Sequence, residues 1–319
     1  MELQQMRYVL AVAETNSFTR AAEQCLVVQS ALSRQIASLE RELGARLFDR
    51  TSRHVRITPA GKAFVAAARE SLNAVERAVA DVAAVTGEVR GRLALGLIPT
   101  VAAVDIPDAL SRFRDRYPQV QLNIRVGGSE ELIEQVMEGR IEVAFLGLPT
   151  SARPVGVNAR ELARDQLVAV VAPDHPLAGE PAVDLARLST ETFIDLPPQS
   201  AARAQSDEAF AAAGLSREVA FEVTTADFMM ARLVRKGLAI ALLPSAFVPH
   251  LTGLATIEIT DAPMRVEYLI WSGVGRTPAA TAFLDLLDLP DRWPAGDRRS
   301  PRTSSRTRRT ERTPHPRQG

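Results

Sequence analysis

A chain of 319 residues, 46% hydrophobic and 24% charged, is long enough for two or more domains and has the composition of an ordinary soluble globular protein. No run approaches the roughly 20 apolar residues of a membrane helix, and the opening MELQQMRYVLAVAETNSF lacks the basic start and small-residue cleavage site of a secretion signal, so a cytoplasmic protein with no membrane partner is expected; the single cysteine, Cys25, excludes an intramolecular disulfide and any multi-cysteine metal site or redox pair. The net charge of zero hides an asymmetry: residues 1–62 hold nine Lys/Arg against six Asp/Glu and residues 291–319 nine Arg against three acids, leaving the middle acidic, a distribution suited to a polyanion partner at the head.

Leu3, Met6, Leu10 and Ala13 mark an amphipathic helix over about 2–14, broken at Asn16-Ser17. Thr19 is expected to cap a short second helix, Arg20 to Leu26. A third helix starts at Gln29, with Leu32, Ile36, Leu39 and Leu43 on one face, and stops at Gly44. Two short helices joined by a tight turn, with a third before them, make a helix-turn-helix. Leu47-Phe48 and the alternating His54-Val55-Arg56-Ile57 then read as a small β wing, and Thr58-Pro59 as the cap and first position of a long helix. In that helix Val65, Ala68, Leu72, Val75, Val79 and Val82 alternate in steps of three and four, an a/d seam that asks for a partner helix.

From Gly91 strands alternate with helices: RLALGLIP, VQLNIRV, IEVAFLGLP, QLVAVVAP, AFEVTT, LAIALLP and VEYLIWSGV, with helices between them. This predicts an α/β domain with a largely parallel sheet, divided into two lobes around a cleft because about 200 residues is large for one sheet. Residues 291–319, rich in Arg, Ser, Thr and Pro with Trp293 as their one large apolar residue, are expected to be disordered.

The second helix of a helix-turn-helix lies in the DNA major groove with its first turns at base edges. Gln29, Ser30, Ser33 and Arg34 occupy those turns on the face opposite the leucines. Gln reads adenine and Arg reads guanine bidentately, and Ser bonds a base or a phosphate. Arg50, Arg53 and Arg56 stand in the wing, within reach of the backbone or the minor groove. Double-stranded DNA is therefore the expected partner.

The segment SFTRAAEQCLVVQSALSRQIASLERELGARLFDRTSRHVRITPAG resembles the DNA-binding domain of the LysR-type transcriptional regulators. The matching elements are Ala21-Ala22, the run Gln29 to Ile36, Leu39-Glu40, Leu47-Phe48-Asp49-Arg50 and Thr58-Pro59-Ala60-Gly61; a weaker likeness extends to residue 290. The resemblance implies a winged helix-turn-helix domain over 1–58, a dimerising linker helix over 59–88, and a two-lobed effector domain like the periplasmic binding proteins over 91–290. Its first lobe would be about 91–161 with 266–289, and its second about 162–265. It implies DNA contacts at Gln29, Ser30, Ser33, Arg34 and Arg53, an interrupted palindromic operator, a homodimer that pairs into a homotetramer, and a response passed on to RNA polymerase.

Effector contacts are expected where strands end and helices begin. Thr100, Ser129, Ser200 and Thr225 supply hydroxyls there, Gly147 lies at the floor, and Arg203 is placed to pair a carboxylate. Each hydroxyl is also a good helix cap; together they resemble the family's inducer pocket, which takes small organic anions. Glu142 and Ala239 depart from the Asp and Gly common in the family. An enzyme is not expected: His54, His175, His250 and His315 form no ligand-spaced pair, and neither G-x-S-x-G nor a P-loop occurs. No cofactor or metal is expected. A peroxide sensor of this family would need a cysteine pair in the effector domain, and residues 91–290 contain no cysteine.

Overall fold

The computed structural model describes residues 1–50, 55–85, 88–226, 228–273 and 275–287; Arg53 and the tail expected to be disordered lie outside them. Helix α1 (Leu3–Thr15) ends at Asn16, whose φ of 49° turns the chain. Ser17, rather than Thr19, caps α2 (Phe18–Gln24), its hydroxyl accepting from the Arg20 amide at 3.3 Å. Thr19 already lies inside that helix. Helix α3 (Gln29–Leu43) stops at Gly44, in the left-handed region at φ 67°. Leu32, Ile36 and Leu39 are fully buried, in one core with Val9, Val12, Phe18 and Ala21. Leu43, at the helix end, is exposed.

The wing pairs β1 (Phe48–Arg50) with β2 (Val55–Ile57) in antiparallel register. Leu47 and Phe48 are buried, and the Phe48 ring meets Phe18 edge-on at 5.8 Å. Glu40 fixes the chain's entry: its Oε1 accepts from the amides of Leu47 at 2.8 Å and Phe48 at 3.2 Å. Thr58 caps α4 (Pro59–Val85), its Oγ1 accepting from the Gly61 amide at 2.9 Å and donating to the Arg46 carbonyl at 2.7 Å. Gly61 has no room for a side chain, since a β carbon would lie 2.1 Å from the Leu47 carbonyl oxygen.

At 1.5 Å per residue α4 is about 40 Å long. The seam divides. Ala68 and Leu72 are buried with Met6 of α1, whereas Val75, Val79 and Val82 are 37%, 59% and 70% exposed. Arg69, buried on the same helix, reaches Glu14 of α1 at 3.2 Å and Glu138 at 3.7 Å.

The rest of the chain runs β3 (Gly91–Leu97), α5 (Ile106–Arg116), β4 (Val120–Val126), α6 (Ser129–Met137), β5 (Val143–Pro149), β6 (Asn158–Val171), β7 (Ala182–Val183), α7 (Leu185–Leu188), β8 (Thr192–Asp195), α8 (Ala201–Ala212), β9 (Glu218–Glu222), α9 (Phe228–Arg235), β10 (Ala241–Pro244), β11 (Ala255–Ile259), β12 (Met264–Trp271) and α10 (Pro278–Leu286). The main sheet follows the order β4-β3-β5-β12-β6-β11-β7, with β10 also paired to β6. It is mixed rather than largely parallel. Strand β3 is parallel to β4 and β5, but β12 returns from late in the chain to lie antiparallel between β5 and β6. Strands β10 and β11 are antiparallel to β6 as well.

The two lobes share β6. Its residues Asn158–Gln166 pair with β12, and Leu167–Val171 pair with β10 and β11. The partner changes at residues 166/167, near the division expected at about 161/162, and one uninterrupted strand serves both lobes. In the first lobe Phe113 and Phe283 meet at 5.4 Å on one side of the sheet, with Leu132, Val136 and Ile141 in a separate core. The second lobe is centred on Phe193 and Phe210, whose rings are 5.6 Å apart.

Candidate functional site

Two sites emerge, one on α3 and one between the lobes. On α3 the fully buried leucine row fixes which residues face outward. Gln29, Ser30 and Arg34 are exposed and Ser33 is half-buried. Val28 stands before the helix and offers no side-chain cap, so the opening turn of α3 presents amides to an outside acceptor. The Arg34 Nε–H donates to the Ser30 carbonyl at 3.2 Å, which lays the guanidinium along its own helix. Arg50 ends β1 and Arg56 lies exposed on β2. Cys25 is half-buried against the same core, and burial pushes its thiol above the usual range.

Between the lobes the chain closes on a cavity of about 20 Å³, room for about one water. Thr100 and Gly147 line it from the first lobe. Ser129, though expected there, turns to Gly147 instead: its hydroxyl donates to the Gly147 carbonyl at 3.0 Å and lies 3.2 Å from the Gly147 amide. Ser200 acts as the cap of α8, accepting from the Arg203 amide at 3.3 Å. Arg203 does not line the cavity; it binds Asp207 at 2.9 Å one turn along α8. Thr225, half-buried after β9, is outside the lining as well.

The strongest polar group in the cleft is one the sequence reading passed over. Arg265, on β12, is 3% exposed and lines the cavity. Its Nη1 donates to Thr100 Oγ1 at 2.8 Å, and its Nη2 donates to the Thr100 carbonyl at 2.9 Å and to Glu267 Oε2 at 3.0 Å. Glu267, equally buried, accepts from the amides of Ala102 at 3.2 Å and Ala103 at 3.1 Å. Burial pushes the Glu267 carboxyl up, and the guanidinium beside it opposes that shift. Gly147 makes this possible, since a β carbon there would sit 3.1 Å from Arg265 Nη1 and 2.9 Å from Ile98 Cδ1. Asp195 and Gln205 complete the polar lining, and Leu167, Leu196, Met230 and Leu242 form apolar wall. A signal for the pair was present in MRVEYLIW: two charges two residues apart share one face of a strand that is otherwise apolar.

Glu142, one of the two departures from the family pattern, ties β3 to α10. Its carboxylate accepts from the Ala94 amide at 3.1 Å and the Thr277 hydroxyl at 2.6 Å, and burial raises its pKa. Among the described residues no group of three or more His, Cys, Asp or Glu is gathered to hold a metal, and no helix is long and apolar enough to cross a membrane.

A helix-turn-helix head with a wing, a long connecting helix and two α/β lobes around a cleft define a ligand-responsive DNA-binding regulator. The model for bacterial regulatory helix-turn-helix proteins of the LysR family matches residues 3–62, and that for the LysR substrate binding domain matches residues 86–289. The chain is 35% identical to the uncharacterized regulator YnfL of Escherichia coli over 89% of this chain and 96% of that protein. It is 32% identical to the transcriptional dual regulator GltC of Bacillus subtilis, over 81% and 86%. Among solved structures, full-length OxyR from Pseudomonas aeruginosa shares the fold at a TM-score of 0.67 and 24% identity, covering 90% of this chain and 94% of that one. CbnR in complex with its target DNA does so at 0.61 and 24%, covering 90% and 99%. The chain belongs to the LysR-type transcriptional regulators: it is a DNA-binding regulator with an effector-binding domain, and its family is not one of enzymes.

Proposed function

We propose that α3 enters the major groove of an interrupted palindromic operator. Gln29 and Arg34 read base edges, Ser30 and Ser33 bond bases or phosphates, and Arg50 and Arg53 reach the backbone from the wing. The observation that carries this reading is the division of α3, with Leu32, Ile36 and Leu39 fully buried and Gln29, Ser30 and Arg34 exposed on the other side. Two chains pair through the exposed valines of α4, and two such dimers form the working tetramer, which acts in the cytoplasm and passes its state to RNA polymerase. A small anionic effector binds between the lobes, parting them, since the closed cavity has room for only about one water. It must bind the two assembly states with different affinity in order to switch them. The likeness to OxyR is one of fold; the sensing here is by ligand, as Cys25 is the chain's single cysteine.

A footprint on the DNA upstream of the protein's own gene, compared with Arg34→Ala at fixed salt, tests the reading. A protected interrupted palindrome that disappears in the variant supports it. If neither that DNA nor any sequence from a random-site selection is protected by the wild type, α3 faces water and the reading falls.

A further inference from the structure

Resting on the reading of the cleft as an effector site, we propose that Arg265 is the anion anchor of that site, that Glu267 is an internal carboxylate holding the anchor until an effector arrives, and that the effector is a small monocarboxylate with an apolar body. The guanidinium carries five N–H groups. Three contacts are met by Thr100 and Glu267, and Nε, fully buried, has no hydrogen-bond partner among the described residues. An unmet N–H on a buried charge is costly to leave and is answered by one more acceptor oxygen.

A purely structural role accounts for this arrangement poorly. A buried ion pair stabilises no better, in general, than well-packed apolar residues of the same volume. Here the cationic member of the pair, Arg265, lines the cavity between the lobes rather than lying in one of the apolar cores, and a side chain at Gly147 would crowd its guanidinium. Glu267 already shows what the anchor takes. Its carboxylate sits against Arg265 and the amides of Ala102 and Ala103 together, a charge-assisted donor set.

The surroundings restrict the ligand further. Asp195 also lines the cavity, but Arg217, with 3% of its side chain exposed, lies 2.6 Å from it and offsets its charge. Among the described residues that leaves Arg265 as the one cation of the lining, already shared with Glu267. A single negative charge is accommodated there and a dianion is not. Leu167, Leu196, Met230 and Leu242 receive the apolar body.

The test uses the full chain and a panel of propionate, isobutyrate, isovalerate and benzoate, with the matching amides and amines at equal concentration. Binding is read by calorimetry and by the change in the operator footprint. At least one carboxylate is expected to bind, its amide and amine not. Arg265→Lys, which keeps the charge but loses the planar fork, is expected to weaken that binding at least about tenfold. Glu267→Gln removes the competing charge and is expected to tighten it about tenfold, an arm that stands even if Arg265→Lys fails to fold. Carboxylate binding that survives Arg265→Lys, or binding of the amides or amines in its place, overturns the anchor and leaves the effector cleft standing. Failure of every carboxylate on wild type and Glu267→Gln alike overturns the proposal. If, in addition, Arg265→Lys and Glu267→Gln fold and give the wild-type footprint, the cleft does not speak to the DNA and the underlying reading falls too.

Discussion

Replacing Gly61 by Ala should loosen the DNA-binding head. The new β carbon would lie 2.1 Å from the Leu47 carbonyl oxygen and 2.7 Å from Ile57 Cγ1, so wing and helix must separate. Overpacking of this kind costs about 1–3 kcal/mol. The same carbonyl accepts from the Thr58 amide at 3.0 Å and lies 3.2 Å from the Thr58 hydroxyl, and losing both contacts adds about 1 kcal/mol each. The total, about 3–5 kcal/mol, corresponds to a fall in protection of roughly 150-fold to several thousandfold for amides that exchange only when the head opens. Hydrogen exchange of peptides covering 29–43, followed by mass spectrometry on the full chain, reads it directly. Lys62→Ala, at the exposed neighbour, serves as control and should change protection by less than about twofold. A Gly61→Ala protein whose Leu32–Leu39 amides lose less than about threefold would show that the wing yields freely and would refute the packing argument.

Val79→Glu with Val82→Glu places charges on the exposed half of the α4 seam; sedimentation should show a monomer at concentrations where the wild type is associated, with the melting of the lobes unchanged. Glu142→Gln should help at high pH and not at low pH. Burial raises the Glu142 pKa in the folded chain, so its carboxylate destabilises the fold as pH rises through that value, and the neutral amide removes this cost; the difference in melting temperature between variant and wild type should be positive at about pH 8 and vanish near pH 4, below the ordinary Glu value. Arg217→Met strands the buried Asp195 and should cost the second lobe about 3–5 kcal/mol by chemical denaturation, most of it recovered when Asp195→Asn is added.

The head was legible because its signals are local. A leucine row at helical spacing, a glycine past the last turn and a Thr-Pro start each act within a few residues, and α3, α4 and the wing follow them. The cap falls at Ser17 rather than Thr19, two residues away in a stretch where both side chains suit, and Leu43, on the expected apolar face, is exposed at the helix end. The lobes were legible as alternating elements but not in their joining. Strand β6 changes partner in mid-course, and β7, α7, β8 and β11 are too short to show a period. At the cleft, Thr100 and Gly147 line the cavity, and Ser129 is bonded to Gly147. Ser200 shows why these hydroxyls are ambiguous in the sequence: one at a helix start serves a cap as well as a ligand, and Ser200 caps α8. The segment legible as a strand, VEYLIWSGV, starts at Val266 and leaves Arg265 out, and the two charges on one face of MRVEYLIW do not say that this strand lies in the middle of a sheet.

The position of β12 also sets an order of assembly on the growing chain. Strands β3 to β6 leave the ribosome early, yet the place between β5 and β6 stays empty until Met264–Trp271 follows, after the whole of the second lobe. The second lobe, by contrast, is built from one continuous stretch and closes on itself. Distant pairings form late because the loop they close is long. The head should therefore be complete first, the second lobe next, and the first lobe last, although its opening strand is made before either half of β6. Chains cut at 263 should then resist a brief protease pulse in the head and second lobe while β3, β4 and β5 are digested, and chains cut at 287 should resist throughout.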